Sequence, residues 1–370
     1  MLTRLHIDNY RTFEAFTWRP EKVAILIGRN GSGKSSLFDL LHLVRAFVSD
    51  AAPLSACFPA DSRARWSSRG EQVIELDVVL ATGTFTYRLE LFHPSRGEGS
   101  RISRETLRTS SETLFEFERG TVRLHDDTGA KQVEFKASQN HSALAAVVPD
   151  ASNIRLTAFK DWLAGIQVVR PNPAQMQSRA PEENQQLASN LENFASWYRY
   201  TLLNQPQDIA AATAAFTEIV PAFRSMSMRV DEQRVGWLRA NFDGPADAPY
   251  ALLFEELSDG QRVLFALYVL LHIKSRSGLL VLDEPDNFVA LEEIQPFLLE
   301  LLDRALQGTG AQLFLASHHP EYLDQLAPSH GWVLDRKNGH ATTIGRFTAD
   351  VALSASSLVA RGELPTTNET

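Results

Sequence analysis

Apolar positions fall into three regimes along the chain, and each predicts a different kind of element. Residues 1–48 read as strand, turn, strand, loop, helix. Leu2, Leu5 and Ile7 mark the first strand. Residues 23–27 are continuously apolar and stop at Gly28, the mark of a strand buried on both faces. Gly31 and Gly33 punctuate the loop that follows. Leu37, Leu40, Leu41, Val44 and Phe47 then recur at helical spacing. Between 70 and 140 the pattern becomes alternation, as in Val73-Ile74-Glu75-Leu76-Asp77-Val78 and Phe85-Thr86-Tyr87-Arg88-Leu89. This predicts an antiparallel meander with one solvated face.

From 154 to 220 the pattern is helical, broken at Pro171 and Pro173 after the apolar run 166–169, and residues 223–254 return to short strands. The last third alternates: helix 258–274, buried strand 279–282, helix 291–306, buried strand 312–316. Such alternation implies a parallel sheet covered by helices. The expected class is therefore α/β, with a parallel core sheet, an antiparallel side sheet and an inserted helical lobe. The pattern divides the chain into an N-terminal lobe 1–150, a helical lobe with short strands 151–255, a C-terminal lobe 256–361 and a loose polar tail 362–370.

Composition narrows the class without naming a chemistry. Hydrophobic residues make up 44% and charged residues 22%, which excludes a mainly disordered or fibrous chain. A net charge of -9 argues against wholesale binding to nucleic acid. The one cysteine, Cys57, can form neither an internal disulfide nor a cysteine zinc site, which fits a reducing cytoplasm. The first residues lack the apolar core of a signal peptide. The longest apolar stretch, 263–273, is broken by His272 and is far shorter than a membrane span of about 20 residues. A cytoplasmic protein outside the membrane is expected.

Gly28-Arg29-Asn30-Gly31-Ser32-Gly33-Lys34-Ser35 matches the P-loop pattern between a strand and a helix. The glycines let backbone N–H groups curl around phosphates, and the following helix aims its positive end at them. Lys34 would reach the β- and γ-phosphates and Ser35 would ligate magnesium. Gly28, Asn30, Gly31, Ser32, Gly33, Lys34, Ser35 and Ser36 are the candidate nucleotide-binding residues. Leu279-Leu280-Val281-Leu282-Asp283-Glu284 has a Walker B shape, an apolar strand ending in two carboxylates. Asp283 would hold the magnesium and Glu284 would act as general base on the attacking water. ATP and Mg2+ are the expected substrate and cofactor.

Leu257-Ser258-Asp259-Gly260-Gln261 reads as a capping box, with Ser258 as N-cap and Gln261 three residues on. Placed between a P-loop and a Walker B, it also resembles the signature motif of ABC-type ATPases. His318, in Ala316-Ser317-His318-His319-Pro320, resembles their switch histidine. The opening Asn9-Tyr10-Arg11-Thr12-Phe13 resembles the SMC, RecF and OLD-type group, whose arginine lies near nucleotide or nucleic acid. The resemblance implies that Ser258, Gly260 and Gln261 bind nucleotide held by a second subunit, that His318 is catalytic, and that Arg11 lines the site. Asp259 departs from the glycine of transporters, and a carboxylate there would repel a phosphate unless turned outward. No Q-loop glutamine is evident; Gln167 reads as a surface residue.

The chain lacks the long heptad insert of SMC proteins and too little remains after His318 for a Toprim nuclease. It most resembles stand-alone OLD-like ATPases of bacteria. That resemblance implies an ATP-sandwiched homodimer acting as a switch on a separate nuclease or Toprim-like effector, in defence against phage or other foreign nucleic acid. Two other roles stay open: a RecF-like repair ATPase acting on DNA, and a non-hydrolysing scaffold. Arg63, Arg65 and Arg69 around Trp66, with Arg96, Arg101, Arg104 and Arg108, form either a nucleic-acid strip or solvated hairpin arginines.

Overall fold

The computed structural model describes residues 1–94, 99–129, 132–245, 248–274, 278–307, 311–336, 339–348 and 354–367. The chain divides into two compact units, Met1–Ile166 with His318–Thr370, and Gln167–Ser317. These boundaries differ from a division at 150, 255 and 361. Helix Ile154–Ala164 belongs to the first unit because it packs on helix Lys34–Ser49, whose Arg45 Nε donates to Ala164 O at 3.3 Å.

The first unit carries an eight-stranded sheet whose paired neighbours all run antiparallel. In spatial order its strands are Phe16–Trp18, Leu2–Asp8, Glu71–Leu80, Gly83–Phe92, Arg101–Thr109, Thr113–Glu118, Thr121–His125 and Gln132–Lys136. The alternating pattern becomes two faces. Ile74, Leu76 and Val78 are buried opposite Leu89, Tyr87 and Phe85, while Glu75 and Asp77 stand on the other face. In the same unit, Val23–Ile27 pairs in parallel with Gly331–Asp335, which pairs antiparallel with Thr343–Phe347. All five residues of Val23–Ile27 are buried. Part of the expected loose tail is ordered, since Thr366–Thr367 pairs with Thr343–Phe347. Residues 368–370 lie outside the described residues.

The second unit contains the parallel pair Leu279–Asp283 and Gln312–Ala316, every residue of which is buried. Strand Ile166–Val169 neighbours the first of these. A four-stranded antiparallel sheet, Arg179–Ala180, Gly236–Phe242, Phe223–Val230 and Tyr250–Leu253, accompanies helices Phe194–Asn204 and Pro206–Thr217. Helix Asp259–Lys274 runs through the core of this unit. From Val263 to Leu271 no side chain is more than 2% exposed. The Phe265 ring meets Phe194, Tyr198, Phe216, Phe223 and Phe254 at 5.2–6.5 Å between centroids. The apolar stretch 263–273 is thus a core helix; among the described residues, no helix is long and apolar enough to cross a membrane.

Candidate functional site

In the first unit, the Gly-rich loop has the backbone its sequence demands. Gly31 (φ 79°) and Gly33 (φ 109°) are left-handed, and Gly33 immediately precedes helix Lys34–Ser49. A Cβ on Gly28 would lie 2.4 Å from Leu334 O, so the strand end can come this close only as glycine. Lys34 is 6% exposed, and its ammonium reaches back across the loop to Gly28 O at 2.6 Å. Ser32 Oγ is buried without a hydrogen-bond partner among the described residues. Asn30 is exposed, and Ser35 and Ser36 are half-buried.

The loop is braced from sequence-distant segments. Thr342 Oγ1 is 2.8 Å from Thr12 Oγ1 and donates to Ser32 O at 2.9 Å. Arg336 Nη1 donates to Gly31 O at 3.3 Å. Arg11, left-handed at φ 49°, donates to Asp39 Oδ2 at 2.6 Å and Ser36 Oγ at 3.3 Å. Arg11 and Arg336 also line a cavity of about 640 Å³ with Tyr10, Arg63, Arg65 and Trp66. Arg336 lies over the Trp66 ring at 6.0 Å. Arg63 and Arg336 hydrogen-bond only to backbone carbonyls, and neither has a carboxylate partner among the described residues. Asp61 is the cavity's one carboxylate. Arg63 and Arg65 line this cavity, with the Arg65 side chain 77% exposed and paired with Asp61. Cys57 is in the same wall, its thiol pushed up to about 11 by burial and then by Asp50.

In the second unit, strand Leu279–Asp283 ends with Asp283 at 1% exposure. Its Oδ2 accepts from Arg170 Nε at 2.7 Å and ion-pairs with Nη2 at 2.5 Å, while Oδ1 has no hydrogen-bond partner among the described residues. Glu284 turns sharply out of the strand at φ 53°, a conformation costly for a residue with a Cβ and concentrated at functional sites. Its N–H donates to Ala316 O at 2.8 Å and its Oε2 accepts from Asn287 Nδ2 at 2.7 Å. Gln167 is 6% exposed and donates to Val168 O and Leu187 O, which corrects its reading as a surface residue. The amide is consumed by backbone; Arg170, after the end of that strand, is the side chain that meets Asp283.

The capping box forms reciprocally: Ser258 Oγ accepts from Gln261 N and Gln261 Oε1 accepts from Ser258 N, both at 3.2 Å. Ser258 remains exposed. Asp259 is turned along the helix to ion-pair with Arg262, whose other bonds go to Pro173 O and Met176 O. The anticipated repulsion is thereby directed away from the helix start. His318 is exposed after strand Gln312–Ala316, and His319, not His318, caps helix Pro320–His330 by accepting from Glu321 N. Among the described residues there is no cluster of side chains suited to a separate metal.

These motifs belong to one family span. The model described as "AAA domain, putative AbiEii toxin, Type IV TA system" matches residues 23–324, which include the loop, the Ser258 segment, both strand-end carboxylates and His318. The chain belongs to this AAA_21 family. It is an AAA domain with the α/β fold of a P-loop NTPase, the class expected from its periodicity. The AAA_21 chain aligns with an SmcHead bound to the C-winged helix domain of ScpA at TM-score 0.54 and 12% identity, covering 95% of this chain and 98% of that one. A Smc head domain with an extended coiled coil bound to the C-terminal domain of ScpA, derived from Pyrococcus furiosus, gives 0.50 and 9% identity over 98% of each chain. The SMC head domain from Thermotoga maritima gives 0.49 and 14% identity over 94% of this chain and 99% of that one. The two ScpA-bound head domains show the fold. Among curated proteins, none matches the chain.

Proposed function

We propose that this AAA_21 chain is an ATP-hydrolysing switch that closes as a homodimer around nucleotide and controls a separate effector. The observation that carries the nucleotide reading is the left-handed Gly33 at the head of helix Lys34–Ser49, with Lys34 laid across the loop. Lys34 would neutralise the β- and γ-phosphates. The cavity beside the loop would take the base end, with Trp66 offering a stacking face and Arg63 and Arg336 their cations.

Asp283 Oδ1, buried without a hydrogen bond, fits a hard cation, and a carboxylate with a hydroxyl is the oxygen donor set magnesium prefers. Asp283 would supply a carboxylate to the ion, which when bound neutralises phosphate charge; Ser35 is the hydroxyl that the sequence assigns to the same ion. Glu284, aimed by its left-handed backbone, would accept a proton from the attacking water. The exposed Ser258, with the helix start behind it, supports a signature that acts on nucleotide bound by the second copy, and exposed His318 supports a role beside the γ-phosphate.

The toxin–antitoxin description of the family supports a defence role; in an OLD-like arrangement, nucleotide state would license a nuclease-type or Toprim-like effector. Glu284→Gln tests the switch. Turnover should fall about 10²–10⁴-fold while ATP binding persists, and ATP should double the mass seen by light scattering. Normal turnover would move the base elsewhere, and a monomer at saturating ATP would remove the dimer.

A further inference from the structure

Arg170 stands outside every motif, yet its guanidinium holds the Walker B carboxylate. Nε and Nη2 converge on Oδ2 of Asp283, at 2.7 and 2.5 Å. A parallel fork would use both carboxylate oxygens. Here Oδ1 is left without a hydrogen bond in a residue only 1% exposed. Half of a buried anion is thus satisfied by one cation, and the other half is unspent.

The pair is also asymmetric in burial. The Arg170 side chain is 46% exposed. Its guanidinium reaches solvent, whereas the carboxylate, if left alone, would be a buried, uncompensated charge. Departure of Arg170 is therefore favourable only when another cation arrives. Arg170 cannot leave by losing its proton, because guanidinium stays charged. Its backbone is fixed as well: Arg170 N donates to Ser189 O at 2.7 Å and Asn172 N to Asn190 O at 3.1 Å. Only the side chain has to move.

We propose that Arg170 is a displaceable guard on Asp283 that competes with the divalent cation for the same carboxylate. It neutralises Asp283 until metal arrives and sets the metal concentration at which the site loads. This rests on the reading of Asp283 as a magnesium ligand.

The test titrates Mn2+ against the full chain saturated with a non-hydrolysable ATP analogue, reading unbound Mn2+ by electron paramagnetic resonance. Arg170→Ala and Arg170→Gln, each verified as folded by circular dichroism, should bind Mn2+ about tenfold more tightly than wild type. In an Asp283→Asn background, which should itself bind Mn2+ weakly, the same substitutions should give no gain. Unchanged or weaker Mn2+ binding in both Arg170 variants would overturn the guard while leaving the metal site standing. Wild-type Mn2+ affinity in Asp283→Asn alone would overturn the metal assignment, and the guard with it. Arg170→Gln keeps the stem to Cδ and a polar, uncharged head, so loss of folding in Arg170→Ala would not prevent a decision.

Discussion

A methyl group on Gly260 would lie 2.8 Å from the carbonyl oxygen of Phe288, so the start of helix Asp259–Lys274 and the loop after Glu284 meet backbone to backbone. Gly260 is thus required by packing as well as by its position in the motif. Gly260→Ala should force the two segments apart, lowering stability by about 1–3 kcal/mol and turnover by up to about 10²-fold. Urea denaturation and steady-state hydrolysis measure the two effects. An alanine variant with wild-type stability would show that the Phe288 carbonyl yields freely.

The cavity predicts a residue-specific effect on nucleotide affinity. Trp66 is 39% exposed and shares the cavity with Arg336, which donates to Gly31 O of the Gly-rich loop. Trp66→Ala should weaken ATP binding about fivefold or more, in line with about 1–3 kcal/mol for aromatic–base stacking. Titration with a fluorescent ATP analogue reads it. Equal affinity in the variant would place the base outside this cavity.

A mixing experiment addresses the two-subunit site. Lys34→Ala removes the phosphate cation, and Ser258→Arg blocks the exposed signature position. If Ser258 acts on the other subunit's nucleotide, a mixed dimer has one site with both lesions and one with neither. Hydrolysis should then partly return when the two inactive proteins are combined under subunit exchange. A Ser258→Arg protein with wild-type activity would reduce this segment to a helix cap.

His93 predicts a pH dependence of stability. It is 1% exposed, its Nδ1 is 2.7 Å from Ser100 Oγ and its Nε2 is 3.3 Å from Gln72 Oε1. Burial first, then the Arg63 charge, lowers its pKa to about 4. The unfolded chain, with an ordinary histidine near 6.5, therefore binds more protons between pH 6.5 and 4. The contribution of His93 is fully present above pH 6.5 and is lost as pH falls toward 4, by a few kcal/mol at most. Urea midpoints at pH 7.5 and 5 should drop more in wild type than in His93→Gln. Equal drops would show that His93 does not control this slope.

The Gly-rich loop, the Ser258 capping box, the buried strand Leu279–Asp283 and the main helices were legible in the sequence because each is written locally. A continuous apolar run marks a strand covered on both faces, alternation marks a sheet with one wet face, and glycine marks left-handed backbone beside a helix start. Ser258 and Gln261 meet three positions apart, within one helical turn. The tertiary structure decided the partnerships that span the chain: Thr342 with Thr12, Arg336 with Gly31 and Arg170 with Asp283. It also turned Gln167 inward, onto the carbonyls of Val168 and Leu187. No periodicity encodes such pairs, because a long side chain chooses its partner only after the fold has set the neighbouring charges and carbonyls in place.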